Sequence, residues 1–222
     1  PLIAMPHLDT NDNNRYDFVT SGGSQDGPYT SGGSAVVDQA SITVEGDSTT
    51  DLEVLNYALT LEHLEATFYA KGLEDFCDEE FRNADVVQGS ICPQLRQSIP
   101  EQIEVVGEHE AAHVDALANT IEQLGGNPVE AAEYDFGYET PSQFLELAMT
   151  LENTGVAAYA GAAPSIENDD YLKAALSIHS VEARHAAMFN VVNGQPPFPN
   201  AFDQPKSMET VTQAIAPLIV SE

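Results

Sequence analysis

The sequence predicts an all-α fold, a four-helix bundle built from two repeated helical hairpins. Four segments of about 20 residues carry helical periodicity and capping signals, strand patterns are few, and the segments repeat in pairs. We expect an irregular N-terminal arm over 1–48, the bundle over 49–195, and a C-terminal extension over 196–222 with a short fifth helix.

The composition fits one domain with a sizeable core, because the chain has 222 residues and 42% hydrophobic content. No apolar run approaches the roughly 20 residues that a membrane-spanning helix needs. The net charge of −29, from 36 acidic and 7 basic residues, argues against nucleic acid or an anionic membrane as a partner. It favours an acidic extracellular medium or a high-salt cytoplasm.

The N-terminal arm carries neither helical nor strand periodicity. Its segment "TSGGSQDGPYTSGGSAVVD" repeats the tetrapeptide Ser-Gly-Gly-Ser. Two interpretations stay open, a disordered tail or an extended strap that docks on the body through Val36, Val37, Ile42 and Val44.

Capping and stop signals delimit the first two predicted helices. A capping box at Thr50-x-x-Glu53 predicts a helix over about 51–72 that ends at a glycine. A second box in "SIPE", with Ser98 as the N-cap, predicts a helix that runs to the "GGNP" stop at 125–128.

The later helices have similar signals. Thr140 as N-cap and Pro141 in the first turn predict a third helix that ends near Pro164. A fourth helix is expected over about 168–193, before an Asn-Gly stop, and a short amphipathic fifth over about 207–219.

Both cysteines, Cys77 and Cys92, lie between the first two helices in a stretch rich in acids and loop formers. This spacing, with no other cysteine, predicts a disulfide, and the alternative is a pair of free thiols. The chain begins at Pro1 without a basic, apolar leader, as expected of a processed mature form. We therefore expect a secreted protein, with a high-salt cytoplasm as the alternative.

The first and third helices repeat each other without gaps. "ALTLEHLEATFYA" at 58–70 aligns with "AMTLENTGVAAYA" at 148–160, which places Glu62 on Glu152. Each hairpin therefore offers one glutamate from its first helix.

The second and fourth helices repeat as well. "EHEAAHVDAL" aligns with "SVEARHAAMF", so Glu110 and His113 match Glu182 and His185. Residues three apart lie on one face of a helix, one turn from each other, so each Glu-x-x-His pair can bind one metal ion.

The four glutamates lie on the apolar stripes of their helices, where an unpaired carboxylate is costly. Four such acids facing inward would repel one another, and two divalent cations would neutralise them. The alternative is a set of partly exposed acids on loosely amphipathic helices.

The segments "GPYTSGG", "LNYALTLEHLEATFYAKGL" and "HSVEARHAAMFN" resemble the secreted ferritin-like proteins of the fungal stress-response and plant desiccation-related type. The wider resemblance is to the ferritin-like superfamily of dinuclear carboxylate proteins, over about 50–195. It implies two divalent metal ions held by six ligands: Glu62, Glu110, His113, Glu152, Glu182 and His185. The surfaces that form a ferritin cage are not recognisable, so a cage is not expected, although an oligomer is compatible with the sequence.

Carboxylates with two imidazoles form a mainly hard donor set, which suits iron or manganese, with zinc as a substitute. Three functions follow. The first is an oxidoreductase that acts on O2 or peroxide, the second is a protein that binds or sequesters metal without catalysis, and the third is a structural stress protein.

Three residues beside the expected ligands are candidates for catalysis. Glu65 lies one turn beyond Glu62 and is either a surface acid or an additional acid of the site. Tyr69 and Tyr159 are either core aromatics or partners that hydrogen-bond the ligands. Gly155 stands opposite Glu65 in the repeat, so it predicts either a small pocket or close helix packing.

Three other histidines are weaker candidates. His179 lies one turn before Glu182 and is either its hydrogen-bond partner or an ordinary polar core residue. His63 and His109 each neighbour an expected ligand in sequence, so we expect both to point away from the site.

Overall fold

The structure is a computed structural model that describes residues 7–8, 16–17, 50–89 and 91–220. Two short strands, β1 (His7–Leu8) and β2 (Tyr16–Asp17), pair antiparallel within a unit that spans Pro1–Gly46. The predicted arm over 1–48, with its two interpretations, lies almost wholly outside the described residues.

The second unit, Asp47–Glu222, consists in its described part of helices joined by loops, with one isolated antiparallel β-bridge between Tyr134 and Ile219. Its α-helices are α1 (Asp51–Asp75), α2 (Asp78–Arg82), α3 (Pro93–Gln123), α4 (Pro141–Ala162), α5 (Asp169–Val192) and α6 (Met208–Ile215). Short 3-10 turns lie at Asp85–Val87, Ala163–Ser165 and Ala216–Leu218. The four long helices α1, α3, α4 and α5 confirm the predicted bundle, and α6 is the expected short C-terminal helix. Helix α1 packs chiefly on α3, and α4 on α5, as two hairpins.

Local capping starts α1 and α4 where the sequence predicts. At α1, the amide of Glu53 donates to Thr50 Oγ1 at 3.3 Å and the amide of Thr50 donates to Glu53 Oε2 at 2.7 Å. At α4, the amide of Gln143 donates to Thr140 Oγ1 at 3.3 Å. These bonds satisfy backbone donors that a helix leaves unpaired in its first turn.

Helix α1 does not end at Gly72, as predicted, but continues to Asp75. The glycine has a packing role, because a Cβ at this position would lie 2.0 Å from the Phe144 ring. That ring stacks on Phe68 with centroids 4.3 Å apart. Close approach between α1 and α4 therefore explains Gly72, whereas the sequence pattern indicated a stop.

Helix α3 begins earlier than the "SIPE" box predicts. Pro93 occupies its first turn after the N-cap Cys92, which suits proline because it has no amide to leave unpaired. The hydroxyl of Ser98 donates to the carbonyl of Leu95 at 2.9 Å, inside the helix, and does not cap its start. Pro100 is buried within the helix, where it cannot donate a backbone hydrogen bond to the preceding turn.

The predicted disulfide is wrong in this structure, because Cys77 and Cys92 are free and exposed. Each occupies the N-cap of a different helix, α2 and α3, so the two helix starts fix their positions. The buried side chains of Phe81 and Val87 instead hold this connection against the bundle. The free cysteines therefore remove one of the arguments for a secreted protein.

The C-terminal extension returns to the bundle along α4. The amide of Lys206 donates to the carbonyl of Ala157 at 3.0 Å. Gly161 is required there, because a Cβ would lie 1.8 Å from the Lys206 carbonyl oxygen. None of the helices in the described part of the chain has the length and apolar character needed to cross a membrane.

Candidate metal centre

All six side chains that the resemblance implies as ligands meet between the four long helices. They form two groups, Glu62–Glu110–His113–Glu182 and Glu110–Glu152–Glu182–His185. Within each group the ligand atoms lie within 4.8 Å of one another. Glu110 and Glu182 belong to both groups, so these two carboxylates can bridge two ions.

The helix geometry explains this convergence. On α3 the i, i+3 spacing places Glu110 and His113 on one face, and on α5 it does the same for Glu182 and His185. Because the two hairpins pack against each other, each contributes one single glutamate and one Glu-x-x-His pair to a common interior.

The four carboxylates are fully buried, with an exposed fraction of 0%. Among the ligand candidates, the side chain of His113 is the most accessible at 12%, followed by His185 at 6%. The partly exposed acids of the alternative interpretation are therefore absent from these positions. The cluster is shielded from water except beside its imidazoles.

Each imidazole faces more than one carboxylate through its Nδ1 atom. His113 Nδ1 lies 3.1 Å from Glu62 Oε2, 3.2 Å from Glu110 Oε2 and 3.3 Å from Glu182 Oε1. His185 Nδ1 lies 2.9 Å from Glu110 Oε1 and 3.3 Å from Glu152 Oε2. One ring N–H cannot satisfy three oxygens, whereas a cation between them can.

Several buried ligand atoms make no hydrogen bond of normal geometry among the described residues, although imidazole or carboxylate atoms lie within 3.3 Å of some of them. They are Glu110 Oε1, Glu152 Oε2, both carboxylate oxygens of Glu182, and His185 Nδ1. Folded proteins leave few buried polar atoms unpaired, because each costs about 1–3 kcal/mol. These oxygen and nitrogen donors fit a hard or borderline divalent cation.

Burial and the crowding of carboxylates shift the pKa values of the ligand candidates. Burial raises the pKa of Glu182 to about 8. Burial also raises the pKa of Glu110, but contacts with His113 and His185 outweigh it and hold this pKa at about 2. Burial lowers the pKa of both imidazoles, yet the surrounding carboxylates raise them to about 12 for His113 and about 10 for His185. The cluster therefore attracts positive charge.

The two candidate tyrosines bond to ligand carboxylates across the bundle. Tyr69 on α1 donates its hydroxyl to Glu152 Oε1, and Tyr159 on α4 donates to Glu62 Oε1. Both hydroxyls are buried, and burial first, then the adjacent carboxylates, raises their pKa values well above the usual range. Each tyrosine therefore stays protonated and fixes one carboxylate in orientation.

Glu65 is not a surface acid, because only 3% of it is exposed. Burial, followed by repulsion from Glu182 and Glu152, raises the pKa of Glu65 well above its ordinary value. A Cβ at Gly155 would lie 2.9 Å from Glu182 Oε2 and 3.4 Å from Glu65 Oε1. The missing side chain on α4 thus makes room for the additional acid from α1.

The three weaker histidine candidates, His63, His109 and His179, differ in position. His109 contradicts the expectation that it points away, since its Nδ1 lies 3.0 Å from Nε2 of His185. His63 does point away, with its Nε2 3.1 Å from the carbonyl of Val129. His179 makes no described bond to Glu182, and its Nε2 is buried without a partner in the described residues.

Sequence reasoning missed His109 because a difference of one position along a helix turns a side chain by about 100°. The residue still reaches the site because the ring it contacts, His185, extends toward α3 from the neighbouring hairpin. The available signal was that His109, like His113, lies within one turn of Glu110.

A four-helix bundle with a buried carboxylate and imidazole cluster defines the class of ferritin-like metal-binding bundles. Residues 50–195 match the family described as Ferritin-like domain, so the chain belongs to that family. Residues 1–43 match a second family, described as Domain of unknown function (DUF7282).

The chain is similar to Protein rds1 of Schizosaccharomyces pombe, with 27% identity over 194 residues. The match covers 86% of this chain and 45% of that protein, so the chain spans less than half of its length. A stretch of 49 residues, 22% of this chain, is 51% identical to Cell surface glycoprotein 2 of Haloarcula hispanica and covers 5% of it. Cell surface glycoprotein 1 of the same organism matches at 47% identity over 49 residues, again 5% of its length.

Proposed function

We propose that this chain holds a dinuclear iron or manganese centre that performs redox chemistry on O2 or peroxide. The proposal is based on the buried carboxylate oxygens and imidazole nitrogen that crowd together without a hydrogen bond of normal geometry among the described residues. They belong to two groups that share Glu110 and Glu182, as two neighbouring ions with bridging carboxylates require.

Charge balance supports two divalent ions. Four ligand carboxylates offer four negative charges, which two divalent cations neutralise in a site that water barely reaches. Burial and the neighbouring carboxylates raise the pKa of Glu65, which disfavours a fifth negative charge at this position. Each group combines three carboxylates with one imidazole, a donor set that suits iron or manganese and accepts zinc as a substitute.

Bound iron or manganese would supply the electron exchange with O2 or peroxide. The protein supplies orientation and protons. Tyr69 and Tyr159 hold Glu152 and Glu62 through their hydroxyls, and the buried aromatic and aliphatic core excludes bulk water. Glu65, whose pKa is raised by burial, lies beside the shared carboxylate Glu182 and could hold or move a proton there.

A small cleft beside Glu65 would be the route for the substrate. It is lined by Glu65 and Gly155 together with apolar residues such as Leu61 and Ile215. A narrow cleft of this kind would suit a small substrate such as O2 or peroxide. Proton transfer through Glu65 and substrate entry would therefore occur on the same side of the centre.

We also propose that the protein works outside the cell in a salt-rich medium. The net charge of −29 keeps a surface solvated at high salt, where screening removes its self-repulsion. Two proteins similar to a 49-residue stretch of the chain are named cell surface glycoproteins. Cell fractionation tests the location: the chain should appear in the medium or at the surface, and purely cytoplasmic recovery would contradict it.

The function is tested by loading the full chain with Fe2+ or Mn2+ and measuring bound metal and consumption of O2 and peroxide. We expect two ions per chain and rapid consumption, slowed in Glu65→Gln and abolished in His113→Ala. Glu146→Gln, which changes an exposed acid on α4, is the matched control and should behave as wild type.

Other outcomes separate the competing functions. Two bound ions without reaction toward either oxidant would refute the redox proposal and favour metal binding or a structural stress role. Uptake of many ions per assembled particle with mineral deposition would identify a metal store.

A further inference from the structure

His109 connects the buried cluster to the surface of the bundle. It is an exposed residue on α3, yet its Nδ1 lies 3.0 Å from Nε2 of the buried His185. The two rings are nearly parallel, with centroids 5.2 Å apart and an interplanar angle of 15°. The contact therefore uses the nitrogen of His185 that does not face the carboxylates.

The other imidazole of the cluster has no such support. Among the described residues, no hydrogen bond involves Nε2 of His113. The repeat that places Glu110 on Glu182 also places His109 on Val181, whose side chain offers no hydrogen bond. The internal symmetry of the two hairpins is therefore broken at this position.

We propose that His109 is a positioning residue for His185 and makes the two metal positions unequal. The group that contains His185 then binds its ion more tightly than the group that contains His113. The inference rests on the proposed metal centre and adds to it an order of binding.

The hydrogen-bond chemistry of histidine gives the reason. When Nδ1 of His185 offers its lone pair to an ion, its proton lies on Nε2, which donates to Nδ1 of His109. This bond fixes both the tautomer and the ring orientation of the ligand. Partners of this kind typically change metal affinity by about 10–100-fold.

Titration of the metal-free full chain with Co2+, followed by visible absorption and calorimetry, tests the inference. The wild type should bind two ions in two distinguishable steps. His109→Ala should weaken the tighter step by roughly 10–100-fold and shift its spectrum, while the second step keeps its affinity. His109→Gln, which retains a side chain able to accept from Nε2, should restore most of the tighter step.

His63→Ala is the matched control, because His63 contacts the carbonyl of Val129 and none of the six ligands. Its titration should equal that of the wild type. If His109→Ala also shows the wild-type titration and spectrum, or if both steps weaken equally, the positioning role is refuted while the metal centre stands. If the wild type itself binds no Co2+, Fe2+ or Mn2+, the proposed metal centre fails and this inference falls with it.

Discussion

Replacing a carboxylate that belongs to both ligand groups should abolish binding of both metal ions, whereas replacing one that belongs to a single group should abolish binding of only one ion. Glu110 contributes to both groups of ligand atoms, and Glu62 contributes only to the group with His113. We therefore expect Glu110→Ala to bind close to no metal and Glu62→Ala to keep about one ion. Glu104→Ala, an exposed acid on the same helix as Glu110, is the control and should keep two.

The size of the effect follows from binding linkage. An ion present at 100 times its dissociation constant stabilises the folded chain by about 2.7 kcal/mol, so two independent ions contribute about 5 kcal/mol. For a chain of this size, about 1 kcal/mol shifts the melting temperature by roughly 2–4 °C. Metal should therefore raise the melting temperature by about 10–20 °C in the wild type, by about half of that in Glu62→Ala, and by almost nothing in Glu110→Ala.

The assay is calorimetry of each variant with and without metal, together with measured metal content. Comparing the two states of one variant removes the direct effect of the substitution on the metal-free fold. Two bound ions in Glu110→Ala, or equal metal loss in Glu62→Ala and Glu110→Ala, would refute the assignment of shared and unshared ligands.

Three further predictions test the surroundings of the cluster. Tyr159→Phe removes the hydroxyl that donates to Glu62, so urea unfolding should show a loss of about 1–3 kcal/mol while metal is retained. Gly155→Ala places a methyl group 2.9 Å from Glu182 Oε2, so metal affinity should fall and stability should drop by about 1–3 kcal/mol; unchanged titrations would contradict the close contact. The metal-free chain should lose stability as pH rises, because the folded pKa values of Glu182 (about 8) and His185 (about 10) lie above their unfolded values. That stabilisation is complete below the unfolded pKa of each group and is lost through about pH 5–8 for the carboxyl and about pH 7–10 for the imidazole. Denaturation midpoints at several pH values, with chelator present, should show this decline, and a flat profile would contradict the shifts.

The bundle could be predicted because its signals are local. Capping boxes such as Thr50 with Glu53 form between residues three apart, so the sequence contains both partners. The six expected ligands were also visible in sequence, because the internal repeat matched each Glu-x-x-His pair and each single glutamate. Their convergence into two groups needed the structure, since it depends on how the hairpins pack.

The predictions were wrong where the local structure depends on residues far away in the sequence. Gly72 looked like a helix stop, but the ring of Phe144, far along the chain, explains the missing side chain. The cysteine spacing looked like a disulfide, but separate helix starts place Cys77 and Cys92 as free, exposed residues. In each case a short sequence pattern is compatible with two structures. The residues that decide between the two structures lie outside that pattern.

The sequence by itself determined the helix starts at Thr50 and Thr140, the repeated hairpins and the residue types available for binding metal, because these depend on neighbours along the chain. Only the tertiary structure decided which atoms face one another. It paired Tyr159 with Glu62 and His109 with His185, contacts that join opposite hairpins. Helix periodicity gives the face of a residue but not the reach of a side chain from another helix, so these contacts depend on packing.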